Sequence, residues 1–446
     1  MTVIAPKSSY VSSFNDVTQD NFQFYYTRLL DIIKPASYIA LDLEFTGLCK
    51  STSNDMTHRY VALKEAVEKY SVVSFGLSVF RKADLITQDP PRSGSSSQPV
   101  HNVSKEISSD FGLSSQPVKT VATDFYHTYY CDNFNFLVCI NSDLVVDDST
   151  GKFLTDHNFS FDRLFQKGVR FLPPSQQKTN TLSDQERKDA IKLTNMWNAI
   201  TDILKYHNIP LIVHNGIYDM MFLYHSFLGI LPDTLREFES RLSERFSSGI
   251  YDTKQIVKEY GPEFSASFLS YAFNKADRIR QNRFNASTPL KPYFQVIVNK
   301  QIDPLTPNDT EAIKPIPHSG IKRRLPWKTE PVVQSEKIAF CKAFAERGYC
   351  SKQTTDPLHQ ANSELHDIQR ILDHEMGFSK YKQVYLSDKS QTDIDGAHAA
   401  HFDAYMTAFV FCYFNMTLSP QDLKEVFNKI HIDRSIHPLR LPSLKK

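Results

Sequence analysis

Two acidic residues interrupt the apolar stretch YIALDLEFTGL, residues 38–48. In an extended strand, side chains alternate between faces, so Asp42 and Glu44 would share one face and the large apolar residues the other. Carboxylates about 6.6 Å apart along a strand repel each other by roughly 2 to 3 kcal/mol at an effective dielectric constant near 20. A divalent cation would cancel this repulsion, because hard cations bind carboxylate oxygens. The stretch therefore predicts a core strand that carries a metal site.

The Asp-x-Glu spacing is not specific by itself, because it occurs at three other places in the chain. These pairs lie in polar surroundings, where we expect solvated surface: Asp184/Glu186, Asp309/Glu311 and Asp373/Glu375. A metal site at Asp42 and Glu44 therefore requires further ligands elsewhere.

A third acid, Asp219, follows a short apolar run. Residues 210–213 predict a strand, and the sequence HNGIYDMMFLY then predicts a turn and a helix, with Asn215 as its cap and Asp219 in its first turns. A strand, a polar turn and a helix that bears an acid form an arrangement that builds binding sites in α/β sheets. The alternative is that Asp219 only complements the positive N-terminal end of its helix.

A fourth acid, Asp403, lies near the start of an apolar segment. Residues 396–414 read GAHAAHFDAYMTAFVFCYF and predict a buried helix that opens with His398 and Asp403. The His-x4-Asp spacing occurs three more times in the chain and is not specific alone. Here the pair begins an otherwise apolar helix, where an unpaired charge would be costly.

Helical and strand periodicities around these motifs predict an α/β fold. The predicted helices cover residues 21–34, 57–70, 182–207, 265–280 and 419–429, and a strand followed by a helix is expected at 250–260. Further strands are expected at residues 72–80 and 123–141.

The composition changes twice along the chain. Residues 88–120 are rich in Ser, Pro and Gly and predict a disordered surface insertion. Prolines and the basic residues Lys322, Arg323 and Arg324 mark a second polar region. We therefore expect a core at residues 20–290, a linker at 291–335, a small Cys/His unit at 336–375 and a return to the core at 392–446.

Charge and cysteine content narrow the classes of protein. The 446 residues carry a formal net charge of +1, so no global field attracts nucleic acid, and any such affinity must come from local patches. Six sparse cysteines do not resemble a disulfide framework, so a reducing intracellular compartment is expected. Neither a signal peptide nor an apolar run of membrane-spanning length is expected.

Three stretches together resemble a known family. LDLEFTG, HNGIYDMMFLY and HAAHFDAYMTAF are similar to the three exonuclease motifs of the DEDD 3′-to-5′ exonucleases in their histidine-containing (DEDDh) subtype. Their flanks resemble the poly(A)-specific ribonuclease family. The resemblance implies an RNase H-like nuclease core, which is a central mixed β-sheet flanked by helices, with a small zinc-finger-like unit inserted.

The resemblance also implies roles for the residues that match the motifs. Asp42, Glu44, Asp219 and Asp403 would hold two Mg²⁺ ions, and His398 would be the general base. Two cations can activate a water and stabilise the leaving 3′ oxygen, and a histidine that titrates near neutral pH can accept the proton of that water. The products would be 5′-nucleoside monophosphates.

The inserted unit departs from the CCCH zinc finger found in one nuclear branch of this family. Cys341 and Cys350 have the expected spacing and His366 matches the last ligand, but Asn362 stands where the third cysteine is expected. Asparagine is a poor Zn²⁺ ligand, so His359 could replace it in a Cys₂His₂ set. The alternative is a degenerate finger that folds without metal.

The expected activity is trimming of RNA 3′ ends, with oligo(A) tails and small nuclear RNA as implied substrates and a homodimer as an implied assembly. The resemblance implies a nuclear location, including the nucleolus or Cajal bodies. The basic residues 322–324 could form a weak import signal, and the alternative is ordinary solvated surface. Two alternatives remain: a cytoplasmic messenger RNA deadenylase, and an inert RNA-binding scaffold. If the unit folds, Phe344 and Tyr349 could stack on single-stranded RNA, and Lys342 and Arg347 could pair with it. The alternative is that these residues form an ordinary small core and surface.

Overall fold

The computed structural model of the chain describes residues 13–49, 53, 55–83, 126–177, 183–285, 293–302, 340–352, 355–359, 364–377, 399–435 and 437–442. The Ser-rich insertion at 88–120, the basic residues 322–324, Asn362 and His398 lie outside the described residues, as does the Asp309/Glu311 pair. Within the described residues, no helix combines the length and apolar character needed to cross a bilayer.

A mixed β-sheet forms the centre of the fold. The described strands are β1 (Asn15–Val17), β2 (Tyr38–Phe45), β3 (Val72–Lys82), β4 (Tyr126–Ile140), β5 (Val169–Phe171), β6 (Leu211–Val213), β7 (Ile250–Asp252), β8 (Tyr293–Val298), β9 (Lys429–Ile430) and β10 (Leu439–Arg440). The main sheet has the order β1-β4-β3-β2-β6-β7, and β5 and β8 also pair with β4. Strand β3 is antiparallel to β2 and β4, whereas β2, β6 and β7 are mutually parallel. A separate antiparallel pair joins β9 and β10.

Helices cover both faces of this sheet. In chain order they are α1 (Phe22–Ile33), α2 (Met56–Lys69), α3 (Asp148–Asp156), α4 (Phe161–Lys167), α5 (Asp184–Ala190), α6 (Lys192–His207), α7 (Ile217–Leu223), α8 (Leu235–Arg245), α9 (Thr253–Tyr260), α10 (Leu269–Asn285), α11 (Lys342–Arg347), α12 (Ile368–Met376), α13 (Ala400–Thr417) and α14 (Pro420–Val426). A π-helical turn, Tyr224–Leu228, continues α7.

The alternation of β2 divides the core into two layers. Ile39, Leu41 and Leu43 pack on one face with residues of α1, α6 and α7. Tyr38 and Ala40 face the opposite layer, which α10 and α13 build. Both layers exclude water, which stabilises the sheet between them. The predicted RNase H-like α/β class, with a mixed sheet flanked by helices, is confirmed.

Two predictions about chain organisation were wrong. Residues 291–335 were expected to be a linker, but β8 lies within that range and pairs in parallel with β4 from Tyr126 to Cys131. The segment YFQVIV carries the aromatic and β-branched residues of a strand, and the surrounding prolines obscured this signal. The helix expected at 182–207 is two helices, α5 and α6, with Ile191 between them.

Candidate active site

Strand β2 presents Asp42 and Glu44 on one face, as the alternation predicts. Both side chains are half-buried. Across the β2–β3 pair, Asp42 lies opposite Gly76 and Glu44 lies opposite Ser74. The neighbours on this face are therefore small, and they leave room above the two carboxylates.

Helix α13 brings a third carboxylate into this space. Asp403 lies in the first turn of α13, where the positive end of the helix favours a negative charge. One oxygen each from Asp42, Glu44 and Asp403 lie within 4.8 Å of one another. The Oδ1 atom of Asp403 is buried and has no hydrogen-bond partner among the residues that the structure describes. A buried acceptor of this kind is costly unless a ligand satisfies it.

Asp219 approaches strand β2 from helix α7, which follows the neighbouring strand β6. It lies in the first turn of α7 and is buried, with 7% of its surface exposed. Its Oδ1 accepts a hydrogen bond of 3.0 Å from the backbone N–H of Leu43, the residue between Asp42 and Glu44. It is not one of the three residues whose oxygens converge within 4.8 Å. The structure thus brings three of the predicted acids together and holds the fourth against the same strand.

Burial and the charges of neighbouring carboxylates raise the pKa values of all four groups. Burial raises the pKa of Asp42 well above its ordinary value, and the charges of Asp403, Asp219 and Glu44 raise it further. Burial followed by the charges of Asp403 and Asp219 has the same effect on the pKa of Glu44. Burial also raises the pKa of Asp219 to about 7, although the Leu43 hydrogen bond offsets part of the rise. The pKa of Asp403 rises to about 7 through burial and the Asp219 charge.

The predicted general base, His398, is the residue before Ala399, the N-cap of α13, and lies outside the described residues. Its role stays a prediction. A second histidine, His401, lies inside α13 and stacks on Phe14 with ring centroids 3.8 Å apart. Burial lowers the pKa of His401 to about 4, which makes it a weak base at neutral pH.

The Cys/His unit gathers the four residues of the predicted Cys₂His₂ set. One ligand atom each from Cys341, Cys350, His359 and His366 lie within 4.8 Å of one another. All but His359 are buried. Two soft thiols and two imidazoles at this spacing are the donors that Zn²⁺ prefers in a structural site.

The aromatic residues of this unit differ in their surroundings. Phe344 packs inward, with its ring centroid 4.9 Å from that of His366 and 5.9 Å from that of Phe268. Phe344 is half-buried and packs against the core, and its stacking on RNA stays a prediction. Tyr349 is 57% exposed and remains accessible.

A comparison with family models identifies the relationship. The model of the CAF1 family ribonucleases matches residues 17–187 and 174–411, which together extend from β1 into α13. The chain belongs to the CAF1 family of ribonucleases. The two matches include all four acids described above.

Two curated relatives of this CAF1-family ribonuclease match over short regions. The poly(A)-specific ribonuclease PARN of Arabidopsis thaliana is 35% identical over 71 residues, which are 15% of this chain and 10% of the relative. The pre-piRNA 3′-exonuclease trimmer of Bombyx mori is 37% identical over 75 residues, which are 16% of this chain and 14% of the relative. The matched regions thus span less than a sixth of either relative.

Among solved structures, the Mg²⁺- and Mn²⁺-bound form of S. pombe Pop2p is similar at 17% identity and a TM-score of 0.36. That match covers 60% of this chain and 84% of the other. The RNase domain of the yeast Pop2 protein is similar at 12% identity and a TM-score of 0.36, covering 63% and 78%.

The acids of this CAF1-family ribonuclease fit divalent cations. Carboxylate oxygens are the ligands that Mg²⁺ prefers, and a buried oxygen of Asp403 finds no hydrogen-bond partner within the described part of the chain. Two or more ionised carboxylates this close would be strongly destabilising without a counter-charge. The donor set therefore suits Mg²⁺ or Mn²⁺.

The sequence reasoning missed one residue that this site needs, Gly76. A Cβ atom built there would lie 2.1 Å from the carbonyl oxygen of Ala400 and 2.4 Å from the backbone N of His401. Only glycine lets the first turn of α13 approach β3 closely enough to place Asp403 beside Asp42. The available signal was an isolated glycine within the apolar strand VVSFGLSVF, because such a glycine often marks a close backbone approach.

Proposed function

We propose that this chain is a divalent-metal-dependent 3′-to-5′ exoribonuclease that removes nucleotides one at a time from RNA 3′ ends. The observation that carries the proposal is the convergence of Asp42, Glu44 and Asp403 within 4.8 Å, with Asp219 held against the same strand. Membership of the CAF1 ribonuclease family supports the reaction class.

Each acid has a distinct part in the proposed reaction. Asp42, Glu44 and Asp403 would hold the cations, and Asp219 would complete the set from α7. Two bound Mg²⁺ ions supply activation of a water and stabilisation of the leaving 3′ oxygen. The buried surroundings strengthen these electrostatic effects because little solvent screens them.

His398 would remove the proton of the attacking water. Its ordinary pKa near 6.5 suits a base that works at neutral pH. The nearby His401 does not suit this task, since its pKa is lowered and its ring is stacked on Phe14. We therefore expect His398→Ala to lower kcat while leaving RNA affinity nearly unchanged.

The finer part of the proposal concerns substrate and location. We propose oligo(A)-tailed RNA, including small nuclear RNA precursors, as substrate and the nucleus as the site of action. The support is the resemblance to the nuclear branch of the family and the Cys₂His₂ cluster, which we propose binds Zn²⁺. The exposed Tyr349 offers a ring for base stacking beside that cluster.

The test uses the full chain and a single-stranded RNA with a 5′ label and a 3′ oligo(A) tail. Mg²⁺ is omitted by dialysis instead of by EDTA, because a chelator would also remove zinc from the Cys/His cluster. We expect wild-type protein with Mg²⁺ to shorten the RNA from its 3′ end, and Asp42→Ala and Asp403→Ala each to lose at least about a thousandfold in rate. Asp202→Ala, at an exposed acid of α6, is the matched control and should retain full activity.

Two results would reject the proposal. Undiminished trimming by either cluster variant would remove the assigned site. RNA binding without any Mg²⁺-dependent shortening would favour the inert scaffold. Parallel reactions with oligo(A), oligo(U) and mixed tails test the substrate preference, and equal rates on all three would reject oligo(A) specificity.

A further inference from the structure

Asp252 is a buried carboxylate outside the metal cluster that accepts hydrogen bonds from backbone N–H groups around the turn before Asp219. It ends β7 and is 0% exposed. As the N-cap of α9 it accepts hydrogen bonds from the backbone N–H groups of Lys254 and Gln255, at 2.9 and 3.3 Å. Capping requires only these two contacts, yet the same carboxylate makes three more.

Two of the additional donors belong to the turn between β6 and α7. The N–H of Asn215 donates to Oδ1 of Asp252 at 3.0 Å, and the N–H of Gly216 donates to Oδ2 at 3.1 Å. Asn215 has φ 60°, in the left-handed region that non-glycine residues seldom adopt. This conformation aims two successive N–H groups at one anion, as in a backbone nest. The carboxylate and the strained turn therefore depend on each other.

The turn connects directly to Asp219. Gly216 is the N-cap of α7, and its carbonyl accepts from the N–H of Met220 at 3.0 Å. Asp219 lies within that first helical turn and binds the N–H of Leu43. Asp252 thus holds one end of a short rigid unit whose other end presents the Asp219 carboxylate to β2.

The fifth donor comes from the C-terminal part of the chain. Residues 428–433, called the strap here, run beside β7, where Asn428 exchanges two hydrogen bonds with Ile250, at 2.9 and 3.0 Å. The N–H of His431 then donates to Oδ2 of Asp252 at 2.9 Å. The strap therefore supports Asp252 through the same oxygen that accepts from Gly216.

Asp433, at the end of the strap, reaches the turn itself. Its carboxylate accepts from Nζ of Lys254 at 2.8 Å and from Nδ2 of Asn215 at 3.3 Å. Asp433 is half exposed, with 50% of its side chain accessible, so its contribution should be smaller than that of Asp252.

We propose that Asp252, supported by the strap, is a positioning residue that sets the Asp219 carboxylate for binding of divalent cations. This inference rests on the proposed function, because it assigns Asp219 to the cation site. Both oxygens of Asp252 accept hydrogen bonds from backbone N–H groups, five in all among the described residues.

The test measures Mn²⁺ binding by isothermal titration calorimetry on zinc-loaded full-length protein, without RNA. Asp252→Asn keeps the size of the side chain but turns an NH₂ group towards backbone donors. We expect it to raise the Kd for Mn²⁺ by about tenfold or more, as loss of residues that orient metal ligands does elsewhere. In the metal-free protein, amide hydrogen exchange of residues 214–220 should accelerate.

The control separates positioning from general stability. Ile200→Val removes one methylene from the fully buried face of α6 and alters none of the hydrogen bonds to Asp252, so it should lower Tm without changing the Kd for Mn²⁺. An unchanged Kd in Asp252→Asn, or an equal weakening in Ile200→Val, would overturn the proposal. If Asp252→Asn does not fold, Asp433→Asn is the second variant, and we expect it to weaken Mn²⁺ binding by about threefold. Unchanged Mn²⁺ binding and unchanged amide hydrogen exchange in this variant would reject the role of the strap.

The same titration distinguishes this inference from the proposed function. Wild-type protein that binds Mn²⁺ but leaves RNA intact would reject exonuclease activity, and the effect of Asp252→Asn on Mn²⁺ binding would still decide the positioning role. Wild-type protein that binds no Mn²⁺ would reject both.

Discussion

At the scale of single residues, the acids of the cluster oppose the stability of the fold that holds them. Burial raises the pKa values of Asp42, Glu44, Asp219 and Asp403, and the charges of neighbouring carboxylates raise them further. Without a cation, each ionised group therefore costs folding free energy. Such strain at a functional site is a common exchange of stability for activity.

Replacing one of these acids should stabilise the metal-free protein. Asp403→Asn keeps the shape of the side chain and removes one negative charge, so at pH 8 we expect the free energy of unfolding without Mg²⁺ to increase by about 1–2 kcal/mol. Thermal unfolding of dialysed, zinc-loaded protein measures this change. Addition of Mg²⁺ should raise the Tm of wild type but not of the variant, and a variant less stable than wild type without Mg²⁺ would contradict the account.

The raised pKa values also predict a pH dependence. Asp219 and Asp403 have pKa values of about 7 in the folded state, whereas an unfolded Asp has a pKa near 3.9. Between these values the folded state binds more protons, so their contribution to stability is present below about pH 4 and is lost as pH rises through about 7. The Tm advantage of Asp403→Asn over wild type, measured without Mg²⁺, should therefore grow from pH 5 to pH 8. A constant difference would show that Asp403 titrates normally.

The sequence revealed these acids because charge is conspicuous in apolar surroundings, but it did not reveal partners that are distant in the chain. Asp373 was expected to be solvated, and this was wrong, because it is buried and pairs with Arg278. Glu375 is exposed and pairs with Lys275. These counter-charges lie about a hundred positions away, and no local pattern shows them. Asn215 was expected to cap α7, but Gly216 occupies the N-cap.

At the scale of secondary-structure elements, the contact between β3 and α13 determines where Asp403 lies. Gly76→Ala would place a Cβ against the backbone of Ala400, and backbone cannot rotate away as a side chain can. We expect a loss of about 1–3 kcal/mol in stability and a larger effect on activity, because α13 must shift away from Asp42. Calorimetry and the RNA-trimming rate measure the two effects.

Gly151→Ala is the matched control for this substitution. Gly151 lies within α3, and a Cβ there would lie 2.9 Å from Cγ1 of Val146, a side chain that is itself 38% exposed. Alanine favours a helix over glycine by about 1 kcal/mol, so stability should be kept or rise and trimming should be unchanged. Full trimming by Gly76→Ala would show that close packing of α13 is unnecessary.

Most elements near the site could be predicted because their apolar periodicity is local. Helix α2 and strand β3 lie within two residues of their expected bounds. Strand β2 begins at Tyr38 as expected but ends at Phe45, before the end of the expected stretch 38–48. The region from α3 to β5 was not predicted, and β8 was assigned to a linker. Short strands on the outer edge of β4 gain their stability from pairing with distant residues, which the local sequence does not show.

At the scale of the whole molecule, the Cys/His unit is joined to the nuclease core by α12. This helix begins two residues after His366, the last residue of the Cys₂His₂ set. Its Asp373 accepts a hydrogen bond of 2.8 Å from Arg278 of α10. Helix α10 in turn packs on α13 through Phe273 and Phe409, whose ring centroids are 5.0 Å apart. The unit is therefore attached to the layer that carries Asp403.

Zinc binding at this unit should be measurable directly. Cys341→Ser removes a buried thiol of the cluster, and we expect the zinc content by mass spectrometry to fall from about one equivalent to near zero. Cys49→Ser, at a half-buried thiol outside the cluster, should retain the metal. Wild-type protein without zinc would reject the ligand set.

Loss of zinc should also lower the thermal stability of the nuclease core. Because α12 and α10 share two ion pairs, of which Arg278–Asp373 is buried, Cys341→Ser should lower the Tm of the main unfolding transition measured by calorimetry. A separate small transition, with the main one unchanged, would contradict this coupling.

The most direct measurement compares a linear oligo(A) RNA with a circular RNA of the same sequence, each incubated with the full chain and Mg²⁺, followed by chromatography of the products. The account predicts release of 5′-AMP from the linear RNA by the wild type, none from the circular RNA, and none from either RNA by Asp42→Ala. Cleavage of the circle, or release of 5′-AMP by Asp42→Ala at the wild-type rate, would contradict it.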